Sequence, residues 1–422
     1  LKIYNIDNKQ VSLNSYYADK IYKNNEIETI YPKQNSPFYI CNASLFYSPL
    51  IKDGITSVEF TPFYSGLPQI LGENNTLIGG VYTESIGFNS DWPNMGVMSK
   101  KNKDNKKKLL KILIMLGITV YLHWSSKKNN RGTDIYKFDN NGSIYDGSNV
   151  NVNIKKSNLL TLSDMIGTSS AAYAGFIYNI ANKLSLYILY DLNPQYNMLC
   201  SKLPDQEKLS MTGDGGYCDN LGILSLVARN IKKVISFISD QTLFDILNKS
   251  IQKIDITNEN SSFSQLNILQ LFGLYEYNEK NKDTGVNSNQ NARQIFPKYT
   301  WNNIKAQLLN TKQKGGPTYA RATLPVLANK QYGIKGGYNV DICIIVLQPS
   351  SKYNELLPTN ISSSFSDVNS KFPNFPTYPV FFTNKTELLS LTKEQINLLA
   401  CYTEWSITNT ELTDVIKDMY SD

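Results

Sequence analysis

Two short apolar runs limit what this chain can become. Lys233 to Ile238 and Ile342-Cys343-Ile344-Ile345-Val346-Leu347 are each six residues long and rich in β-branched side chains. Runs of that length suit covered strands and are too short for a helix. Further strand-like runs are Phe38-Tyr39-Ile40-Cys41 and Val58-Glu59-Phe60, and residues 331–348 read as two strands. Helical patterning alternates with them. It covers 221–230, one or two segments of 158–200, the first part of 241–273, and 386–402, where Thr386 is the expected cap. A short amphipathic helix is expected at 407–420. Strands mixed with helices, without an internal repeat, give an α/β expectation. The expected organisation is a single domain over 1–422, with 67–156 as a loop-rich insertion. Residues 67–98 and 129–155 read as loop from their Gly, Asn, Pro and Asp content, and 274–316 as irregular polar chain.

Composition removes several classes. The net charge is +6, and charged residues make up 18% of the chain, too mild a basic balance for a nucleic-acid binder. Hydrophobic residues reach 41%, which supports a packed core and excludes a disordered or fibrous chain. His123 is the only histidine, so one chain cannot build a two-histidine metal site, and any Ser-His-Asp triad would have to use it. The chain holds 48 asparagines, and seven N-x-S/T sequons are about what this composition gives by chance, so they do not argue for secretion. The five cysteines, Cys41, Cys200, Cys218, Cys343 and Cys401, form no CxxC pair and read as buried thiols, with one or two disulfides as the alternative. Seven lysines crowd into 100–111 ahead of an apolar run from Ile112 to Trp124. That run is shorter than the roughly 20 residues needed to span a bilayer. A buried helix or strand with a solvated basic lead-in is expected, with peripheral membrane contact as the alternative. The chain opens on Leu1 without a signal peptide at its start, which reads as a mature or trimmed product.

Two segments could carry chemistry. In Gly213-Asp214-Gly215-Gly216 an aspartate sits between glycines, the pattern of a tight turn where backbone approaches something closely. Asn220, a helical segment to Arg229 and an apolar strand ending at Asp240 follow it. The segment is either an ordinary turn or the edge of an active site. Gly167-Thr168-Ser169-Ser170-Ala171 lies near the nucleophile-elbow pattern G-x-S-x-G, with Ala171 at the last glycine. It is either a helix start capped by Thr168 or Ser169, or a turn presenting Ser169 or Ser170 as nucleophile.

Taken in order, several segments carry a resemblance. They are Pro37-Phe38-Tyr39-Ile40-Cys41-Asn42-Ala43, Val58-Glu59-Phe60-Thr61-Pro62-Phe63, Ile166-Gly167-Thr168-Ser169-Ser170 and Asp214-Gly215-Gly216-Tyr217-Cys218-Asp219-Asn220. Together they resemble the lysophospholipase/phospholipase B family and its cytosolic phospholipase A2 and patatin-like relatives. Phe372-Pro373 to Leu399 is similar to a C-terminal stretch of bacterial patatin-like proteins. The resemblance runs in patches over about 37–240 and more weakly to about 405. It implies a three-layer α/β fold with a central, mostly parallel sheet and long insertions. It also implies hydrolysis of a glycerophospholipid or lysophospholipid acyl ester by a Ser–Asp dyad, with Asp214 as base and a glycine-rich loop holding the oxyanion. Gly213, Gly215, Gly216 and Asn220 would shape the turn around that base. A dyad needs no histidine, which fits a chain with one. No cofactor or metal is implied, and a secreted or vesicular location is suggested only through the phospholipase B likeness. The family's nucleophile motif, G-x-S-G-[GS], lies upstream of its E-F-T-P segment, and residues 1–58 contain neither that motif nor the glycine-rich loop. The expectation is therefore a C-terminal two-thirds of such an enzyme, with the serine on an N-terminal piece of the same precursor. The alternatives are Ser169 as an in-chain nucleophile, or an inactive structural or interaction protein on the same fold.

Overall fold

A computed structural model describes residues 9–12, 27–31, 38–45, 56–62, 64–71, 77–85, 88, 131–138, 144–152, 159–171, 174, 194–196, 210–239, 268–274, 293–378 and 391–421. The protein is mixed α/β, with sheets of both parallel and antiparallel strands. It divides into two compact units. The first comprises Leu1–Asn230, Glu279–Ala292 and Asn329–Lys335; the second comprises Ile231–Asn278, Arg293–Ala328 and Gly336–Asp422.

In the first unit, β1 (Lys9–Val11) and β2 (Glu28–Ile30) pair in parallel. The remaining strands are β3 (Cys41–Leu45), β4 (Thr56–Phe60), β5 (Tyr64–Leu71), β6 (Leu77–Glu84), β7 (Arg131–Phe138), β8 (Ile144–Val152), β9 (Gln195–Tyr196) and β10 (Ser210–Asp214). They form one sheet in the order β8-β7-β6-β5-β4-β3-β10-β9, and every pairing in it is antiparallel. The expected mostly parallel sheet is thus corrected for these strands. Short connections such as Thr61 to Phe63 can only return the chain antiparallel, because a parallel neighbour needs a long crossover. The loop reading of 67–98 and 129–155 is corrected too, since β5–β6 and β7–β8 extend the sheet. A backbone ladder needs N–H and C=O groups rather than apolar side chains, so Asn- and Gly-rich strands are hard to see in a sequence.

Alternation along β3 and β4 sends Ala43, Leu45, Val58 and Phe60 into the core, where they meet Leu160, Met165 and Tyr196. Phe60 meets Phe88 edge-on at 5.3 Å and Tyr196 at 6.0 Å. Helix α1 (Leu162–Ser169) packs on β3. Thr161 caps it, and the Asp164 carboxylate returns a bond to the Thr161 N–H, a complete capping box. Beyond β10 come α2 (Gly216–Asp219) and α3 (Ile223–Ala228), separated by Gly222 at φ 67°.

In the second unit, β11 (Lys233–Ser239), β12 (Thr318–Pro325) and β13 (Asn339–Leu347) form a sheet in the order β11-β13-β12. β11 runs parallel to β13 and β12 antiparallel to it. The two apolar runs therefore lie side by side. β13 is central and buried nearly throughout, whereas β11 is an edge whose burial alternates and leaves Phe237 exposed. Only one strand forms in 331–348. The first half holds a 3-10 turn (Lys330–Tyr332) and the left-handed Gly333, which belong to the first unit, and then the left-handed glycines 336 and 337.

Helix α4 (Trp301–Gln313) corrects the irregular reading of 274–316. Its apolar positions Trp301, Ile304 and Leu308 recur at helical spacing and are buried. Helix α5 (Lys393–Thr408) begins at Thr392, which forms a capping box with Gln395, and not at Thr386, which lies outside the described residues. Amphipathic α6 (Leu412–Tyr420) is where the sequence expects it. It is tied to the sheet by Arg321, which binds Asp341 at 2.6 Å and Asp418 at 2.5 Å.

Candidate functional site

Asp214 ends β10, opposite Ala43 of β3. Its flanking glycines have steric reasons. A Cβ on Gly215 would come 2.2 Å from the Asn42 carbonyl oxygen of β3. A Cβ on Gly216 would come 2.8 Å from the Asn220 side-chain oxygen and 3.1 Å from Asp214 Oδ1. Gly213 is buried opposite Ser44. Freed of side chains, the backbone passes directly from strand into α2, with Gly215 and Asn220 flanking that helix. The Gly216 N–H then donates to Asp214 Oδ1 at 2.7 Å. Among the described residues no donor reaches Oδ2.

The electrostatics follow from this placement. Asp214 is half-buried, and loss of solvent raises its carboxyl above the usual range, while the Gly216 N–H pulls it back down. The neighbouring Tyr217 phenol is pushed up to about 12, first by burial and then by the Asp214 charge. An aspartate with one oxygen held by a backbone amide, the other without a donor among the described residues, and reduced hydration is suited to accept a proton.

The GTSS segment is not a helix start. Ser169 is the last residue of α1, so a strand-to-helix turn of the elbow kind is absent at that point. Thr168 shares a hydrogen bond with the Tyr196 hydroxyl at 2.6 Å, and Ser170 Oγ donates to the Ile166 carbonyl at 2.8 Å. The half-buried Ser169 bonds the Cys41 thiol, partly offsetting the rise that burial gives that thiol. Backbone bonds nevertheless bring this segment beside Asp214. The Gly215 N–H donates to the Ser169 carbonyl at 3.1 Å, and the Asp214 N–H to the Ala171 carbonyl at 3.3 Å.

A polar seam supports the turn, and the sequence reading did not single out its members. Glu59 on β4 sits beside Asn42 on β3. Arg229, just past α3, binds the Glu59 carboxylate through both terminal nitrogens, at 3.1 and 2.5 Å. The same guanidinium donates to the Tyr64 hydroxyl at 3.0 Å and the Ser225 carbonyl at 2.9 Å. Ser225 Oγ donates to Asn42 Oδ1 at 3.0 Å, and its N–H to the buried Asp219 carboxylate at 3.3 Å. Asp219 thereby satisfies an orphan amide in the first turn of α3. An acid inside the apolar Val58-Glu59-Phe60 and a base closing an apolar helix were the available signals.

The Lys-rich block at 100–111, the apolar run after it, His123 and Cys200 lie outside the described residues. Cys41, Cys343 and Cys401 are free thiols. Among the described residues no helix is long and apolar enough to cross a membrane, and no group of three His, Cys, Asp or Glu side chains is placed to hold a metal ion. Comparison with protein-family models, curated protein sequences and solved structures gives no match to this chain.

Proposed function

We propose that the protein is a phospholipase- or lysophospholipase-like hydrolase that uses Asp214 as the base of a Ser–Asp dyad, on a fold related to the patatin and cytosolic phospholipase A2 group. The observation that carries this reading is the Asp214 carboxylate at the carboxyl end of β10, half-buried, held at Oδ1 by Gly216, with no donor among the described residues at Oδ2. In the proposed reaction Oδ2 takes the proton from a serine hydroxyl, and the serine oxygen adds to the ester carbonyl. Collapse of the adduct expels the alcohol portion of the lipid, which leaves with that proton. Water then releases the fatty acid from the acyl-serine.

Residues 1–58 carry no serine in the family's motif, so the reading takes the nucleophile from a separate piece of the precursor. A second reading makes Ser169 the nucleophile. It is favoured by the 3.1 Å bond between the Gly215 N–H and the Ser169 carbonyl, which brings the end of α1 beside Asp214.

The test is labelling of the native protein with a fluorophosphonate serine probe, followed by mapping of the labelled peptide and comparison with Asp214→Asn. The proposal expects label on a co-purifying peptide outside residues 1–422, lost in Asp214→Asn. Label on Ser169 selects the second reading. Absence of label together with absence of lipid hydrolysis removes the enzyme reading and leaves a structural or interaction protein.

A further inference from the structure

From Thr284 to Val340 the sequence holds no aspartate or glutamate, whereas the chain average of 36 acids in 422 residues would place about five there. The same stretch carries eight lysines and arginines. In the second unit they include Lys298, just before α4, and Lys305 and Lys312 within it. These three recur every seven residues, so two helical turns return each to nearly the same side of the helix, beside the line of the buried Trp301, Ile304 and Leu308. Lys298 and Lys312 are exposed and Lys305 is half-buried. Lys312 donates to Gln348 Oε1 at 3.4 Å. Among the described residues no carboxylate pairs with Lys298 or Lys305.

The sign reverses at the end of the same unit, where residues 393–421 hold five acids against two lysines. In α6, Leu412 and Met419 are buried, while Glu411, Asp414 and Asp418 follow one another at steps of three and four on another side and are all exposed. Asp418 binds Arg321 and is still 62% exposed; Glu411 and Asp414 have no cationic partner among the described residues. Lys305 to Lys312 and Glu411 to Asp418 are both seven-residue steps, about 10.5 Å along a helix, so two charges of one stripe can meet two of the other at once. Among the described residues the two stripes of one chain do not pair with each other. A second copy supplies each stripe with its opposite in sign and spacing. We propose that copies of this chain associate by docking the acidic α6 stripe of one on the lysine stripe of α4 in the next. Exposed charges on helix faces make such a contact weak and salt-sensitive. It does not involve Asp214, so the dyad reading and this one hold or fail separately.

The experiment is sedimentation velocity of the full 422-residue chain at low and high salt, about 0.01 M and about 1 M, which change the screening length about tenfold. Concentration-dependent self-association is expected at low salt, with its loss at high salt. Lys305→Glu/Lys312→Glu turns the α4 stripe acidic, and Glu411→Lys/Asp414→Lys turns the α6 stripe basic, with Asp418 kept for its bond to Arg321. Each double variant alone should associate about 10-fold more weakly or worse. An equimolar mixture of the two should recover association, because every stripe then meets its opposite; a variant that had merely lost its fold could not be rescued so. Glu411→Gln/Asp414→Asn serves should the reversed α6 not fold, and should weaken association by about 2- to 10-fold. The proposal is overturned by absence of salt-sensitive association or by a mixture no better than its components. Association that survives the α4 reversal, as it would if the Lys-rich block at 100–111 were the partner of α6, overturns it too, as does association unchanged by loss of the α6 charges.

Discussion

Replacing Arg229 with Met should cost far more than replacing its partner Glu59 with Gln, although each change breaks the same ion pair. The difference lies in what is left behind. The Glu59 side chain is 2% exposed and the Arg229 side chain 21%. Arg229→Met strands a carboxylate deep beside Asn42, and removing one member of a buried pair costs about 3–5 kcal/mol. Glu59→Gln leaves a guanidinium that still donates to Tyr64 and Ser225 and reaches solvent, so the loss is that of charged hydrogen bonds, about 1.5–3 kcal/mol. The double variant Glu59→Leu/Arg229→Met removes both charges and should recover a substantial part of the single Arg229→Met loss. Hydrogen exchange of the β4 amides, followed by mass spectrometry, reads the local opening free energy without requiring both units to unfold together. Equal losses for the two single variants, or a double variant that loses their sum, would refute the reasoning.

Asp214→Asn should raise the stability of the first unit at pH 7. Burial raises the Asp214 carboxyl, so its charged form opposes folding, and this opposition grows as pH climbs from the ordinary aspartate value through the raised one. The gain should fade toward pH 4, and a melting difference that does not shrink on acidification would contradict it. Gly215→Ala should be severe, with a loss at or above about 3 kcal/mol in urea unfolding, because the Cβ meets Asn42 backbone at 2.2 Å and neither strand can yield alone. Gly216→Ala meets a side-chain oxygen of Asn220 at 2.8 Å, which can swing away, so it should fall well below Gly215→Ala in the same assay. Thr392→Ala removes the capping box of α5 and should cost about 1 kcal/mol, read as faster amide exchange confined to the first turn of that helix.

The elements legible in the sequence were those whose pattern reports burial directly. The runs at Lys233 and Ile342 are strands because β-branched residues fill a covered sheet, and Leu412–Tyr420 is a helix with one apolar face. The strands from Leu77 to Val152 were hidden because their pairing rests on backbone groups that every residue carries. Helix α4 was hidden by its many Asn, Gln and Lys residues, although Trp301, Ile304 and Leu308 already marked its buried face. At the candidate site, the glycines around Asp214 announced a close backbone approach, and the carbonyl of Asn42 is what they approach. That Asn42 would lie there required the pairing of β3 with β10, across more than 160 residues of sequence, which no local pattern encodes.

The E-F-T-P and D-G-G segments that suggested a lipase are joined physically, and this changes what their co-occurrence means. Glu59 belongs to the first segment; Arg229 closes the helix that follows the second, and the two form a nearly buried pair at 2.5 Å. Asn42, on the strand between β4 and β10, receives Ser225 of the same helix and offers its carbonyl to the space that Gly215 leaves empty. Such a seam has a structural reason to persist whether or not an ester is ever cleaved, so the paired motifs alone argue for a fold more strongly than for a reaction. The carboxylates separate the two cases. Glu59 is consumed by Arg229, and Asp219 by the first turn of α3. Asp214 commits Oδ1 to Gly216 and, among the described residues, meets no donor at Oδ2, in a setting that raises its proton affinity, an arrangement that the packing of β3, β4 and α3 does not require. Catalysis is therefore tested at Asp214, while substitutions at Glu59, Asn42 or Arg229 act on stability, so any functional loss there would not tell an enzyme from a structural protein on the same fold.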